Sequence, residues 1–188
     1  MRRAVVKLCE HRAEASVLKL IEVLGYNNPG AAIAAVDGLI AIGRPAVDLL
    51  LDNIDSFDYG ARAWANRALA GIGDPRALPN LLDAALNDFA LSVRRVATKG
   101  LGNLQWDWLD TVEWPTAQEQ VLQALTQAGK DEEWVVRYAA VVALENFGSQ
   151  IETNREAVLA SLQTCLATEV ESVVCARIHK ALKTLKAL

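Results

Sequence analysis

The 188-residue sequence is poor in the side chains that do covalent or metal chemistry. It has two histidines, His11 and His179, and three cysteines, Cys9, Cys165 and Cys175. Two histidines cannot build a three-histidine metal centre or supply several general bases, and the cysteines follow no metal-ligand spacing, so no metal site is expected. An odd cysteine number behind a charged N-terminus, MRRAVVKLCEHRAE, predicts reduced thiols and a soluble, cytoplasmic protein rather than a secreted one. No apolar run approaches the roughly 18 to 20 residues of a membrane span. Basic excess is missing too. The net charge of −4 and a pI near 5.2 argue against a dedicated nucleic-acid binder. Proline is scarce, at 5, and no stretch alternates as a strand with hairpin turns would.

What is abundant is alanine and leucine in helical spacing, and the spacing repeats. DGLIAIGRPAVDLLL and RALAGIGDPRALPNLL place Gly43 and Gly73 thirty residues apart, each followed by a charged residue and a proline. Arg62-Ala63-Trp64-Ala65 is echoed by Arg94-Arg95-Val96-Ala97 and by Arg137-Tyr138-Ala139-Ala140, with a degenerate copy over Val173 to Leu182 and a partial opening unit from Ala4 to Leu24. Each unit reads as two helices. The first carries apolar residues at i, i+3, i+4 and i+7; the second carries small residues where helices must approach closely. One such unit cannot bury its own apolar face, whereas stacked units bury a continuous core. The expectation is therefore all-α: a single HEAT-like α-solenoid over 1–188, of about five to six two-helix repeats, with the VRRVATKGL-type helices on the concave side. Gly43, Gly73 and Gly148 read as helix stops. Asp58, Asp88 and Asp131 read as helix N-caps or first-turn acids.

Charge is uneven along the array. Residues 27 to 59 sum to −4, residues 60 to 104 to +3 and residues 105 to 136 to −6. The last stretch holds an insertion, QWDWLDTVEWPTAQEQ, that breaks the repeat spacing and carries Trp106, Trp108 and Trp114. Those three are candidates for a satellite core or a partner-contact surface, since aromatic residues are enriched at interfaces. Arg62, Arg94 and Arg137 share one repeat position. They are either a structural ladder pairing with acids such as Asp58 or Asp88, or part of a ligand surface. Arg67, Arg95 and Lys99 fall outside that pattern and are ligand or partner candidates; Arg95 and Lys99, at i and i+4, share a helix face. Tyr59 and Trp64, at the start of a second helix, are candidates of the same kind, with core packing as the alternative. Cys175 and His179 also share a face at i and i+4, but packing accounts for them and no role is assigned. The basic, amphipathic ending RIHKALKTLKAL reads as the closing helix.

The stretches LIEVLGYNNPGAAIAAVDGLIAIG, DYGARAWANRALAGIGDPRAL and NDFALSVRRVATKGLGNLQW resemble the F-type subunit of the E/F-type phycocyanobilin lyases. The resemblance covers most of residues 17 to 106; beyond them it is a repeat-level likeness. It implies a HEAT-like protein that pairs with an E-type lyase subunit to attach phycocyanobilin, its substrate rather than a resident cofactor, to a cysteine of the phycocyanin α-subunit. Isomerising relatives carry an Asn-His-Cys motif in this subunit. No histidine adjoins a cysteine here, which points to ligation without isomerisation. The acceptor supplies the thiol, so the chain needs no nucleophile of its own. Under this resemblance Arg62, Arg67, Arg94, Arg95 and Lys99 are candidates for the bilin propionates, Tyr59 and Trp64 for its rings, and Asp58 and Asp88 for catalytic contacts with its pyrrole nitrogens. Trp106, Trp108 and Trp114 remain partner candidates. The competing expectation is a non-catalytic HEAT-repeat adaptor acting on phycobiliproteins, such as a phycobilisome-degradation factor.

Overall fold

The computed structural model describes residues 16–54 and 59–188, with the backbone alone for Tyr59. Cys9, His11, Asp58 and the expected opening unit before residue 16 lie outside the described residues. Among the described residues ten α-helices follow one another: α1 Val17–Leu24, α2 Pro29–Ile42, α3 Val47–Asn53, α4 Tyr59–Ile72, α5 Leu78–Asn87, α6 Leu91–Leu101, α7 Trp114–Ala128, α8 Trp134–Gln150, α9 Arg155–Thr168 and α10 Ser172–Lys186. No strand occurs among the described residues. The helices pair as five two-helix units. The second helices α2, α4, α6, α8 and α10 pack each on the next, and the first helices back them on one side. This is the expected HEAT-like solenoid.

Local sequence explains the boundaries. Asn28 starts α2 by accepting the Ala31 N–H through its side chain at 3.1 Å, with Pro29 as the first helical residue. Gly43 and Gly73 end α2 and α4 at φ 76° and 71°, a left-handed conformation that glycine adopts without the Cβ penalty. Gly73 is constrained twice, because a Cβ there would lie 2.5 Å from the Asn103 carbonyl oxygen. Its own carbonyl accepts the Gln105 N–H at 2.8 Å, tying the second unit to the third. Gly148 is not a helix stop. It lies inside α8, where a Cβ would press on Val158 and Leu185, so close packing of α9 and α10 explains it.

One apolar core runs from Val17 to Leu185 through all ten helices. The second helices approach closely through small residues: a Cβ on Gly100 would lie 2.6 Å from Ala70 Cβ, and one on Gly102 would lie 2.5 Å from Ala143 Cα. Trp106 belongs to this core. It is 6% exposed, edge-on to Trp114 at 6.4 Å and tilted against Phe147 at 5.8 Å. Of the two expectations for the insertion tryptophans, Trp106 meets the core one and does not lie on a contact surface. The insertion opens with a short 3-10 turn, Trp106–Trp108, and its later residues form the start of α7. Trp114 is half-buried and donates its indole N–H to the Leu109 carbonyl. Trp108 alone is exposed, with the Arg44 guanidinium 5.1 Å above its ring.

Candidate functional site: a cationic and aromatic groove

The repeat-position arginines form a ladder along the N-terminal ends of the second helices. Arg94 Nε and Nη2 donate to the two carboxylate oxygens of Asp131 at 2.8 and 3.1 Å, and its Nη1 donates to the Asp88 and Phe89 carbonyls. Arg137 repeats the arrangement one unit on, donating to both Glu169 oxygens at 2.8 Å and to the Asp131 and Glu132 carbonyls. Arg62 lies 3.7 Å from Asp88 in the same sense. Arg94 and Arg137 thus each bind the loop before their own helix and the acid of the next unit, while Arg62 reaches toward the acid of the next unit. The acids are not N-caps, as the sequence suggested. Asp88 and Asp131 stand two residues before the caps Ala90 and Glu133 and accept their N–H groups. The Arg137 guanidinium holds the Glu169 carboxyl down at about 2. The last rung lacks an arginine. Cys175 takes its position and donates its thiol to the Glu169 carbonyl at 3.6 Å. His179 meanwhile places Nδ1 2.8 Å from the Cys175 carbonyl, so thiol and imidazole do not pair.

A second charge cluster ties the opposite helix ends. Buried Asp74 meets Arg44 at 3.2 Å and Arg76 at 2.8 Å, and Arg76 reaches on to Asp48. Burial works against the Asp74 charge, but the Arg76 contacts outweigh it and hold the carboxyl below its ordinary range.

The open face of the second-helix layer carries a groove of about 650 Å³ that touches all five second helices, from Ile40 on α2 to Val173 on α10. Its floor is made of small residues, among them Ala70, Gly71, Gly100 and Ala139. Three cations line it: Arg67 on α4, and Arg95 and Lys99 on α6. Beside them stand Trp134 and Tyr138 on α8. Among the described residues no carboxylate, imidazole or thiol lines the groove. Among the described residues every other arginine is in an ion pair, while Arg67 and Arg95 have no acidic partner. Arg67 instead lies 5.7 Å over the Trp64 ring, which orients the guanidinium without neutralising it.

The candidates from the sequence therefore divide. Arg67, Arg95 and Lys99 come together in the groove. Trp64, half-buried, stands behind Arg67. Arg62, Arg94 and Asp88 sit in the ladder, away from it, because a repeated arginine opposite a repeated acid is consumed by stacking. Arg67 and Lys99 do not break the repeat after all: each stands five residues beyond its ladder arginine, at one register. Trp134 and Tyr138 were missed. The signal was present, since Tyr138 follows its ladder arginine as Arg95 follows Arg94. The other thiol among the described residues, Cys165, is buried beneath the ladder, and burial pushes its pKa up. Among the described residues no metal-binding cluster gathers and no helix is long and apolar enough to cross a membrane.

HEAT repeats match residues 17–102. The phycocyanin alpha phycocyanobilin lyase CpcF of Synechocystis sp. (strain ATCC 27184 / PCC 6803 / Kazusa) is 53% identical over 93% of this chain and 82% of its own length. The chain belongs to the CpcF family. A further family member, the phycobilisome maturation protein of Synechococcus elongatus (strain ATCC 33912 / PCC 7942 / FACHB-805), is 47% identical over 98% of this chain and 90% of its own length. The solved complex of CpcE and CpcF of phycocyanin lyase from Nostoc sp. PCC7120 contains a chain that superposes with a TM-score of 0.83 at 46% identity, covering 89% of this chain and 98% of that one. The CpcF fold therefore extends to the helices beyond residue 106, where the sequence resemblance is only that of a repeat.

Proposed function

We propose that this chain is the F-type subunit of a heterodimeric phycocyanobilin lyase. With an E-type partner it binds phycocyanobilin, positions it and passes it to a cysteine of the phycocyanin α-subunit, working in the cytoplasm. The observation that carries the reading on this chain is the groove: unneutralised cations beside an aromatic wall suit an elongated conjugated molecule bearing carboxylates. Arg67 and Arg95 can hold a propionate through charge-assisted bonds, and Lys99 can do so as a point charge. Trp134 and Tyr138 can take a ring face.

The chemistry asks little else of the chain. Adding the acceptor thiol across the exocyclic double bond of the bilin forms one S–C bond and moves the thiol proton to the neighbouring carbon. No group leaves and no electrons are exchanged. With cations and aromatic rings lining its groove, this subunit contributes binding, orientation and exclusion of water. The acceptor contributes the nucleophile. Co-expression with the E-type partner, a phycocyanobilin source and the phycocyanin α-subunit tests the reading. A lyase subunit yields an acceptor carrying a covalent, coloured chromophore that survives denaturation. A colourless acceptor would instead mark the chain as an adaptor without transfer activity.

A further inference from the structure

Arg67 and Lys99 occupy one repeat position on adjacent helices, α4 and α6, and both project into the groove. Stacked helices stand about 8 to 10 Å apart, so two side chains at one register present two positive charges a helix spacing apart, each reaching several ångströms along the groove. The next helix of the stack has Val142 at that register, where the charge stops, and the groove wall turns aromatic with Trp134 and Tyr138. Arg67 is braced over Trp64, and no acid among the described residues pairs with either cation.

We propose that Arg67 and Lys99 form a two-point clamp for the two carboxylates of an open-chain tetrapyrrole, while Trp134 and Tyr138 receive its conjugated face, so that the groove selects diacid bilins over their esters. The inference rests on the bilin-binding reading above and adds an orientation to it: the carboxylate edge lies against α4 and α6, and the ring system extends toward α8. Trp64 is a positioning residue in this arrangement. It touches no ligand and acts by fixing the direction of the Arg67 guanidinium.

The test uses the assembled heterodimer and two probes, phycocyanobilin as the free diacid and as its dimethyl ester, titrated by visible absorbance. Wild type binds the diacid more tightly than the ester. Arg67→Gln with Lys99→Gln weakens the diacid by at least about tenfold per lost charge-assisted contact and leaves the ester within about twofold, so the preference falls by that factor to what Arg95 alone sustains. Trp134→Ala weakens both probes by a similar factor and keeps the preference. A double variant that retains the wild-type preference, or that loses both probes equally, overturns the clamp. A Trp134→Ala heterodimer that binds both probes as wild type overturns the aromatic half. If the wild-type heterodimer binds neither probe, the bilin reading itself fails. Melting curves verify folding, which neither exposed, unpartnered cation supports.

Discussion

Arg94 and Asp131, 37 residues apart in sequence, meet through two parallel hydrogen bonds of 2.8 and 3.1 Å with both side chains nearly buried. Removing either partner strands the other charge in a low-dielectric setting. Arg94→Ala should therefore lose about 3 kcal/mol of stability, the lower end for a broken buried pair. For a chain of this size that is a fall on the order of 10 °C in Tm. The double variant Arg94→Ala with Asp131→Ala should cost less than the two single losses added together, since neither charge is then left alone. Thermal melts of the three variants check this.

The neighbouring rung should respond to acid. The Glu169 carboxyl is held at about 2 by the Arg137 guanidinium, well below its unfolded value. A depressed carboxylate contributes stability above the unfolded pKa and loses it as pH falls through the folded one. The contribution is at most about 3 kcal/mol, present above pH 4.5 and fading toward pH 2. Glu169→Gln should lower Tm at neutral pH and flatten its fall between pH 4.5 and 2. An unchanged acid slope in Glu169→Gln counts against this rung.

The tryptophans of the insertion should separate by burial. Trp106 packs on Phe147 inside the core, so Trp106→Ala should cost about 3 to 5 kcal/mol. Trp108→Ala removes an exposed ring under Arg44 and should cost under about 1 kcal/mol. Urea denaturation of the two variants distinguishes them.

Gly102 sits where α6 meets α8. A Cβ there would approach Ala143 Cα to 2.5 Å, against backbone that cannot move aside cheaply. Gly102→Ala should destabilise by about 1 to 3 kcal/mol as an overpacked contact, measured by thermal melt. Because the same helices floor the groove, chromophore transfer should fall with it.

The period of Arg62, Arg94 and Arg137 revealed the stack in the sequence, because stacking reuses one residue type at one register. The ladder's partners were harder to assign, since each acid belongs to the following unit and only the fold brings Arg137 to Glu169. Gly148 misled because a glycine near a helix end and one at a helix–helix contact are the same letter. Trp106 was ambiguous because the insertion has no period to assign it a face. The groove was half legible. Arg67, Arg95 and Lys99 stood out as charges the ladder did not explain, whereas Trp134 and Tyr138 blended into an apolar segment until the second helices were stacked side by side.

Under the proposed function, paired arginines hold the fold and unpaired ones hold the chromophore. The most direct measurement is Tm together with chromophore transfer to the phycocyanin α-subunit, for Arg95→Ala and Arg94→Ala in the heterodimer. Arg95→Ala should keep Tm within about 1 °C, because no partner is left behind, while bilin affinity falls about tenfold or more through the lost charge-assisted bond. Arg95→Lys should recover part of that loss. Arg94→Ala should lower Tm first, with transfer failing only as the fold does. A normally folded Arg95→Ala heterodimer that transfers chromophore at the wild-type rate would contradict the account.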